Sequence, residues 1–366
     1  MKEYSEEEVS RMKKNRLIVH DQVHHVKFET SHGCNLSCEF CGASTKDTGI
    51  MSKETFYRAL EGLTDSFKMA FFSGHGEPTI NPYLPEFASA IRSRFPKCQI
   101  NIVTNMEVAK KRGFEYILGL FDSGVSQIQG DLYNKDTYDW FKANVEKHKD
   151  ELGKRGIKVE NYYQTGIGAF SYHGANKKRI VYVSDYENFN SGDSCSRNFH
   201  NWAGNMKLEL WTKYTKNTLA DFPMDKVCSE PLKYAYVMFN GDVTICCRNG
   251  GRALVIGNVG EKSLTEIWQG QDAMVMRYLA RTGQRKWMAP CFLCNFRSFR
   301  DGLTPYWGRK YTNDEIIESL NRCHRVTKGN PLWDNLQAYK DQTGRELPSY
   351  LESMLKECED GSSDVH

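Results

Sequence analysis

The chain has 366 residues, with 49 basic and 46 acidic side chains and a net charge of +3. Charge this balanced gives no general argument for a nucleic-acid partner, and no apolar run reaches the roughly eighteen residues that a membrane span needs. Twelve cysteines behind a polar, acidic start (Met1 to Glu8) point to reduced, cytoplasmic thiols serving metal or clusters, not to a secreted disulfide scaffold.

The length suits one large domain and a smaller one. A polar helix is expected from Ser5 to Leu17, within an N-terminal extension over residues 1–25. Strands and helices then alternate. Val26 to Thr30 reads as a first strand, and Ser52 as the cap of a helix through Phe56, Leu60 and Leu63. Strands follow at Met69–Phe72, Gln99–Thr104, Val125–Leu132 and Val159–Gln164. Helices are expected at Pro85–Phe95, Val108–Phe121 and Tyr138–Leu152. Such alternation implies a parallel sheet with right-handed crossovers. Residues 166–215 read as a late strand with substrate-facing loops. Asn240-Gly241 makes a hairpin turn between Lys233–Met238 and Val243–Cys246. Ser263 and Glu266 form a capping box, and Asn313–Cys323 and Leu347–Glu357 are late helices in a C-terminal segment over 301–366.

Cys34, Cys38 and Cys41 form a C-x₃-C-x₂-C run just after the first strand. Three soft thiolates this close can wrap a metal or cluster but leave its shell open; a zinc knuckle or plain core thiols are the alternatives. A second set comprises Cys228 and Cys246, spaced C-x₁₂-G-x₄-C with Gly241, and the pair Cys291 and Cys294. Four thiolates would close the shell of a 4Fe–4S cluster or of a zinc ion.

The first spacing resembles the radical S-adenosylmethionine superfamily. The resemblance implies an α/β fold with a partial (β/α)₆ barrel over residues 26–215. It also implies a 4Fe–4S cluster on Cys34, Cys38 and Cys41, with S-adenosylmethionine on the open iron. A 5′-deoxyadenosyl radical made there abstracts hydrogen from substrate. Ser73-Gly74-His75-Gly76-Glu77-Pro78 resembles the family's Gly-Gly-Glu-Pro segment, altered by His75, whose backbone receives the methionine amino group. Thr104-Asn105 resembles a recurrent Thr-Asn. Asp131 stands where family members contact the ribose, and Phe40 where an aromatic packs near adenine.

The second set resembles a SPASM domain, or its short twitch form with a β-hairpin and short helices, over residues 216–300, and implies one auxiliary 4Fe–4S cluster. Cys247 would point away from Cys246 along a strand. Cys195 is a candidate hydrogen-atom donor, as in peptide epimerases of the family; Arg197, His200 and Tyr172 are candidate bases or clamps. The expected function is oxidation or other C–H modification of a small molecule or peptide, with a flavodoxin or ferredoxin as electron donor. Peptide epimerisation or cross-linking, and a non-catalytic iron–sulfur or zinc protein, are the alternatives.

Overall fold

The computed structural model describes residues 22–42, 48–165, 171–184, 201–215, 217–224, 227–296, 309–326 and 330–359. The expected helix Ser5–Leu17 and the candidates Cys195, Arg197 and His200 lie outside the described residues; Tyr172 is described and exposed.

One sheet organises the chain. Its strands are β1 (His25–Phe28), β4 (Met69–Phe72), β5 (Gln99–Thr104), β6 (Gln127–Asp131), β7 (Ile157–Asn161), β8 (Lys178–Val183), β9 (Ala235–Val237), β10 (Asp242–Thr244) and β11 (Gly257–Asn258), in the order β11-β10-β9-β1-β4-β5-β6-β8-β7. The two short strands β2 (Ser31–His32) and β3 (Gly49–Ile50) pair separately and flank the first cysteine run in sequence. All pairings from β9 to β7 are parallel, and β10 and β11 add antiparallel strands through the Asn240-Gly241 turn. Among the described residues the edge strands β11 and β7 do not pair with each other, so the barrel is open.

The late strand, β8, does not follow β7 outward but sits between β6 and β7. The physical reason lies in the side chains. Ile180, Val181 and Val183 of β8 are buried, whereas in β7 only Ile157 is. The more apolar strand occupies the interior and the more polar one takes the edge. The expected helix Val108–Phe121 is two helices, Glu107–Arg112 and Phe114–Asp122, broken where Gly113 adopts φ +89°. The helix expected from Tyr138 starts at Lys135, capped by Asn134, and is interrupted at His148 before Lys149–Lys154. Ser52 caps Lys53–Glu61 by accepting from the Thr55 amide at 3.0 Å. Among the described residues no helix is long and apolar enough to cross a membrane.

The two faces of the sheet differ. Val26, Phe28, Ala70, Phe72, Ile100, Ile102, Ile128 and Ile180 form the helix-covered apolar core. There Phe56 stacks on Phe87 at 4.0 Å between centroids and lies 5.3 Å from Phe28. The opposite face carries a transverse row set by register: Tyr236, Lys27, Phe71, Asn101, Gln127 and Arg179. It is polar except at Phe71. Phe56→Ala should remove a fully buried ring from the core and cost about 3–5 kcal/mol, read as a lower denaturant midpoint.

Directly after β1, Glu29 joins three segments. Its carboxylate accepts from His32 Nδ1 (2.9 Å) in the cysteine loop and from His75 Nδ1 (3.2 Å) and the His75 amide (3.3 Å) after β4. It also accepts from the Tyr236 hydroxyl on β9. Burial alone would raise its pKa, but hydrogen bonds and charge from His32 and His75 hold it well below the usual carboxylate range. A depressed folded-state pKa contributes stability that is present above the unfolded value of about 4.3 and is lost as pH falls below it. Acid unfolding followed by tryptophan fluorescence should therefore show stability falling below about pH 4, and Glu29→Gln should flatten that limb.

Candidate functional site

The carboxyl ends of β1, β4, β5 and β6 converge on the first cysteine loop. Gly76 makes the closest approach. A Cβ there would lie 2.1 Å from the Ser31 carbonyl oxygen and 2.6 Å from that of Gly33, so only glycine lets the β4 loop press against the backbone leading into Cys34. The Glu77 amide donates to the Gly33 carbonyl at 3.0 Å and locks the two loops together. A Cβ at Gly74 would strike the Tyr236 hydroxyl at 2.5 Å and the Glu29 side chain. Ser73 continues from β4, its amide donating to the Phe28 carbonyl at 3.3 Å, and Pro78 opens a buried turn, Pro78–Ile80.

The Glu77 carboxylate is fully enclosed. It accepts from the Thr79 amide (3.0 Å) and hydroxyl, the Thr104 hydroxyl (2.7 Å) and the Asn105 amide (2.8 Å). Burial raises its pKa, and these donors pull against that shift. Glu77 thereby fixes the end of β5, where Asn105 donates from Nδ2 to Cys34 Sγ at 3.4 Å and to Asn35 Oδ1 at 3.0 Å. Met106, held at φ +64°, turns the chain into the next helix. Asp131 ends β6 and accepts from Gln129 Nε2 at 3.0 Å. Phe40 sits 5.8 Å from the Tyr133 ring, just beyond β6. Cys34 is exposed, and Cys38 and Cys41 are half-buried. The run thus forms a partly open rim surrounded by Gly76, Glu77, Asn105 and Phe40.

The second set gathers around a cavity, with Cys294 buried and Cys228, Cys246 and Cys291 half-buried. Cys228, Cys246, Cys291 and Cys294 line one cavity with Arg248 and Arg285. Burial pushes the Cys228 thiol up to about 11 and the Cys291 thiol up to about 12. The described cysteines are free thiols. Among the described residues no three His, Cys, Asp or Glu side chains converge tightly enough for a single metal ion. A cube presents its irons at separate corners, so its thiolates stand further apart. Four thiols around one cavity fit such a group. Cys247 lies outside that lining and accepts from Lys27 Nζ at 3.2 Å. Lys27 is itself buried, 4.3 Å from the Tyr234 ring centroid.

The hairpin brings the second cysteine set up to the first loop. A Cβ at Gly250 would lie 2.6 Å from His75 Cδ2 and 3.0 Å from the Gly42 carbonyl oxygen. Sequence reasoning passed over Glu29, Lys27, Tyr236, Arg248 and Arg285. For Lys27 and Glu29 a signal existed: charges at alternate positions of an otherwise apolar strand that is central in the sheet, where both faces are covered.

A model of the radical SAM superfamily matches residues 28–164, and a model of the SPASM iron–sulfur cluster-binding domain matches residues 228–295, together more than half of the chain. The S-adenosyl-L-methionine-dependent 2-deoxy-scyllo-inosamine dehydrogenase of Niallia circulans is 24% identical over 279 residues, covering 74% of this chain and 92% of that protein. The antilisterial bacteriocin subtilosin biosynthesis protein AlbA of Bacillus subtilis (strain 168) is 26% identical over 121 residues, 32% of this chain and 27% of that one. The crystal structure of BtrN in complex with AdoMet and 2-DOIA superposes with a TM-score of 0.54 at 19% identity, covering 77% of this chain and 96% of the other, a likeness of fold. The chain belongs to the radical S-adenosylmethionine superfamily, enzymes that hold a 4Fe–4S cluster, cleave S-adenosylmethionine reductively and abstract hydrogen from a small-molecule or peptide substrate, and it carries a SPASM-type domain for auxiliary iron–sulfur binding.

Proposed function

We propose that this chain dehydrogenates a hydroxyl-bearing carbon of a small, polar, polyhydroxylated molecule. The observation that carries the reading is the polar row on the inner face of the sheet. In it Gln127 is fully buried, and neither its amide nitrogen nor its amide oxygen has a hydrogen-bond partner. An orphaned amide costs about 1–3 kcal/mol. A hydroxyl group, at once donor and acceptor, complements both of its atoms. Asn101 and Arg179 flank Gln127 in register, and Arg179 is held by Glu160 at 3.2 Å. The similarity to a cyclitol-amine dehydrogenase supports the same substrate class.

In this reading Cys34, Cys38 and Cys41 hold the first cluster, and Cys228, Cys246, Cys291 and Cys294 the auxiliary one. When bound, these groups with S-adenosylmethionine supply a 5′-deoxyadenosyl radical for hydrogen abstraction and an acceptor for the second electron. Backbone at Ser73, Gly74, Gly76 and Pro78 cradles the methionine end. Asp131 meets the ribose, and Phe40 packs by the adenine. Glu77 fixes Thr104 and Asn105, and so the shape of the rim around Cys34. The protein works in the cytoplasm with a flavodoxin- or ferredoxin-type donor. A second reading, peptide epimerisation or cross-linking with Cys195 as donor, draws on the partial similarity to the subtilosin protein.

Anaerobic reconstitution should give about eight irons per chain. That count should fall by half when the four auxiliary cysteines become alanine; about four irons with zinc in the native chain would remove the auxiliary cluster. Gly76→Ala should abolish S-adenosylmethionine cleavage, because its Cβ displaces the Ser31–Gly33 backbone. Cyclitols and aminocyclitols deuterated at their carbinol carbons should pass deuterium into 5′-deoxyadenosine with ketone formed one to one. Gln127→Leu should raise KM about tenfold, the loss of roughly 1.4 kcal/mol expected from one buried hydrogen bond. Label transfer from peptides and from no polyol would reverse the choice.

A further inference from the structure

Arg285 is a buried cation with no carboxylate beside it among the described residues. Its side chain is 2% exposed and lines the cavity with the four auxiliary cysteines. Nη2 donates to the Cys294 carbonyl at 3.0 Å and Nη1 to the Phe296 carbonyl at 3.3 Å. Its Nε–H, also buried, has no hydrogen-bond partner. No ion pair joins Arg285 to a carboxylate among the described residues. Arg248, in the same cavity, is differently placed: it pairs with Glu230 at 3.3 Å and lies 3.4 Å from the Phe296 ring centroid.

Besides the two carbonyls the guanidinium bonds only the Cys291 side chain, and burying it without an anion to complete its surroundings is costly. Four thiolates outweigh the positive charge of an oxidised iron–sulfur cube, so the whole centre is anionic and becomes more so on reduction. A hydrogen bond to a cluster sulfur, and a positive charge beside it, both favour the reduced form and raise the reduction potential. We propose that Arg285 is a positioning residue that donates its Nε–H to a sulfur of the auxiliary cluster, and that its charge sets this cluster as an electron acceptor. The two carbonyl bonds aim the fork, leaving Nε for the cluster. The inference rests on the four-cysteine assignment and deepens the dehydrogenase reading. Dehydrogenation sends one hydrogen atom to the adenosyl radical. The remaining electron goes to the auxiliary cluster, the remaining proton to solvent, and a one-electron carrier reoxidises the cluster.

The test is potentiometry of the auxiliary cluster in the reconstituted full chain, followed by electron paramagnetic resonance without substrate. Arg285→Met should weaken electron acceptance about tenfold, a shift of ~59 mV to more negative potential for one electron. Arg285→Lys, which keeps the charge and loses the fork, should shift it less. An unchanged midpoint in Arg285→Met at full iron content overturns the proposal, as does a redox-silent metal at this site. If Arg285→Met is recovered without auxiliary iron, protein made with ¹⁵N-arginine decides. A ¹⁵N hyperfine coupling at the reduced auxiliary cluster that persists in Arg248→Gln supports the assignment, and its absence overturns it. Because these readings need no substrate, failure of every cyclitol sinks the substrate reading alone.

Discussion

The structure depends on a buried carboxylate. Glu29 leaves β1 at the point where the barrel, the cysteine loop and the auxiliary hairpin meet, and each sends it a donor: His75, His32 and Tyr236. A buried charge is tolerated only when its lone pairs are filled, and here three separate pieces of chain must be present to fill them. The consequence is cooperative. The cysteine loop cannot settle without His32, nor the glycine loop without His75, nor the hairpin against β1 without Tyr236. Gly74 and Gly76 extend the same constraint, since the segments approach too closely for a Cβ at either position. Assembly of the cofactor rim is thereby coupled to docking of the second cysteine set.

The two thiol sets differ in exposure at their extremes: Cys34 is exposed and Cys294 is buried, while the other cysteines of both sets are half-buried. Cys34 is exposed and its neighbours half-buried, on a loop that leaves room for a second ligand. Cys228 and Cys291 lie in low dielectric, where burial holds their protons well above the ordinary thiol range. Metal must displace those protons on binding, so cluster assembly there is linked to pH and to nearby positive charge. Arg285 stands beside that set, and its charge pulls against the burial that raises the Cys228 and Cys291 thiols.

Much of this was legible in the residues. The C-x₃-C-x₂-C run, the Gly-His-Gly-Glu-Pro segment and the Asn-Gly hairpin turn are local patterns whose meaning survives without tertiary context, and the capping box expected at Ser263 opens the helix Leu264–Gln269. What escaped is non-local. The insertion of β8 between β6 and β7 depends on a comparison of two strands' burial that neither reveals alone. Arg285 becomes notable only once Cys228, 57 positions earlier in the numbering, faces the same cavity. The helix breaks at Gly113, with φ +89°, and at His148, with φ −104° and ψ 20°, fell inside apolar periodicities that look continuous, because a period of 3.6 does not register one residue that leaves helical geometry.

β1 shows why the two cofactor sites belong to one machine. Lys27 and Glu29 are two residues apart and so share a face of the strand, while Val26 and Phe28 enter the helix-covered core. Lys27 reaches Cys247, next to Cys246 of the second cysteine set; Glu29 reaches His32, two residues before Cys34. The strand thus carries a buried cation to one site and a buried anion to the other. A register slip of one residue would turn both charges into the apolar core and bring Val26 and Phe28 to the polar face. The cost of burying either charge without its partner makes that slip prohibitive. The same alternation that packs the core therefore fixes the spacing between the two cysteine sets.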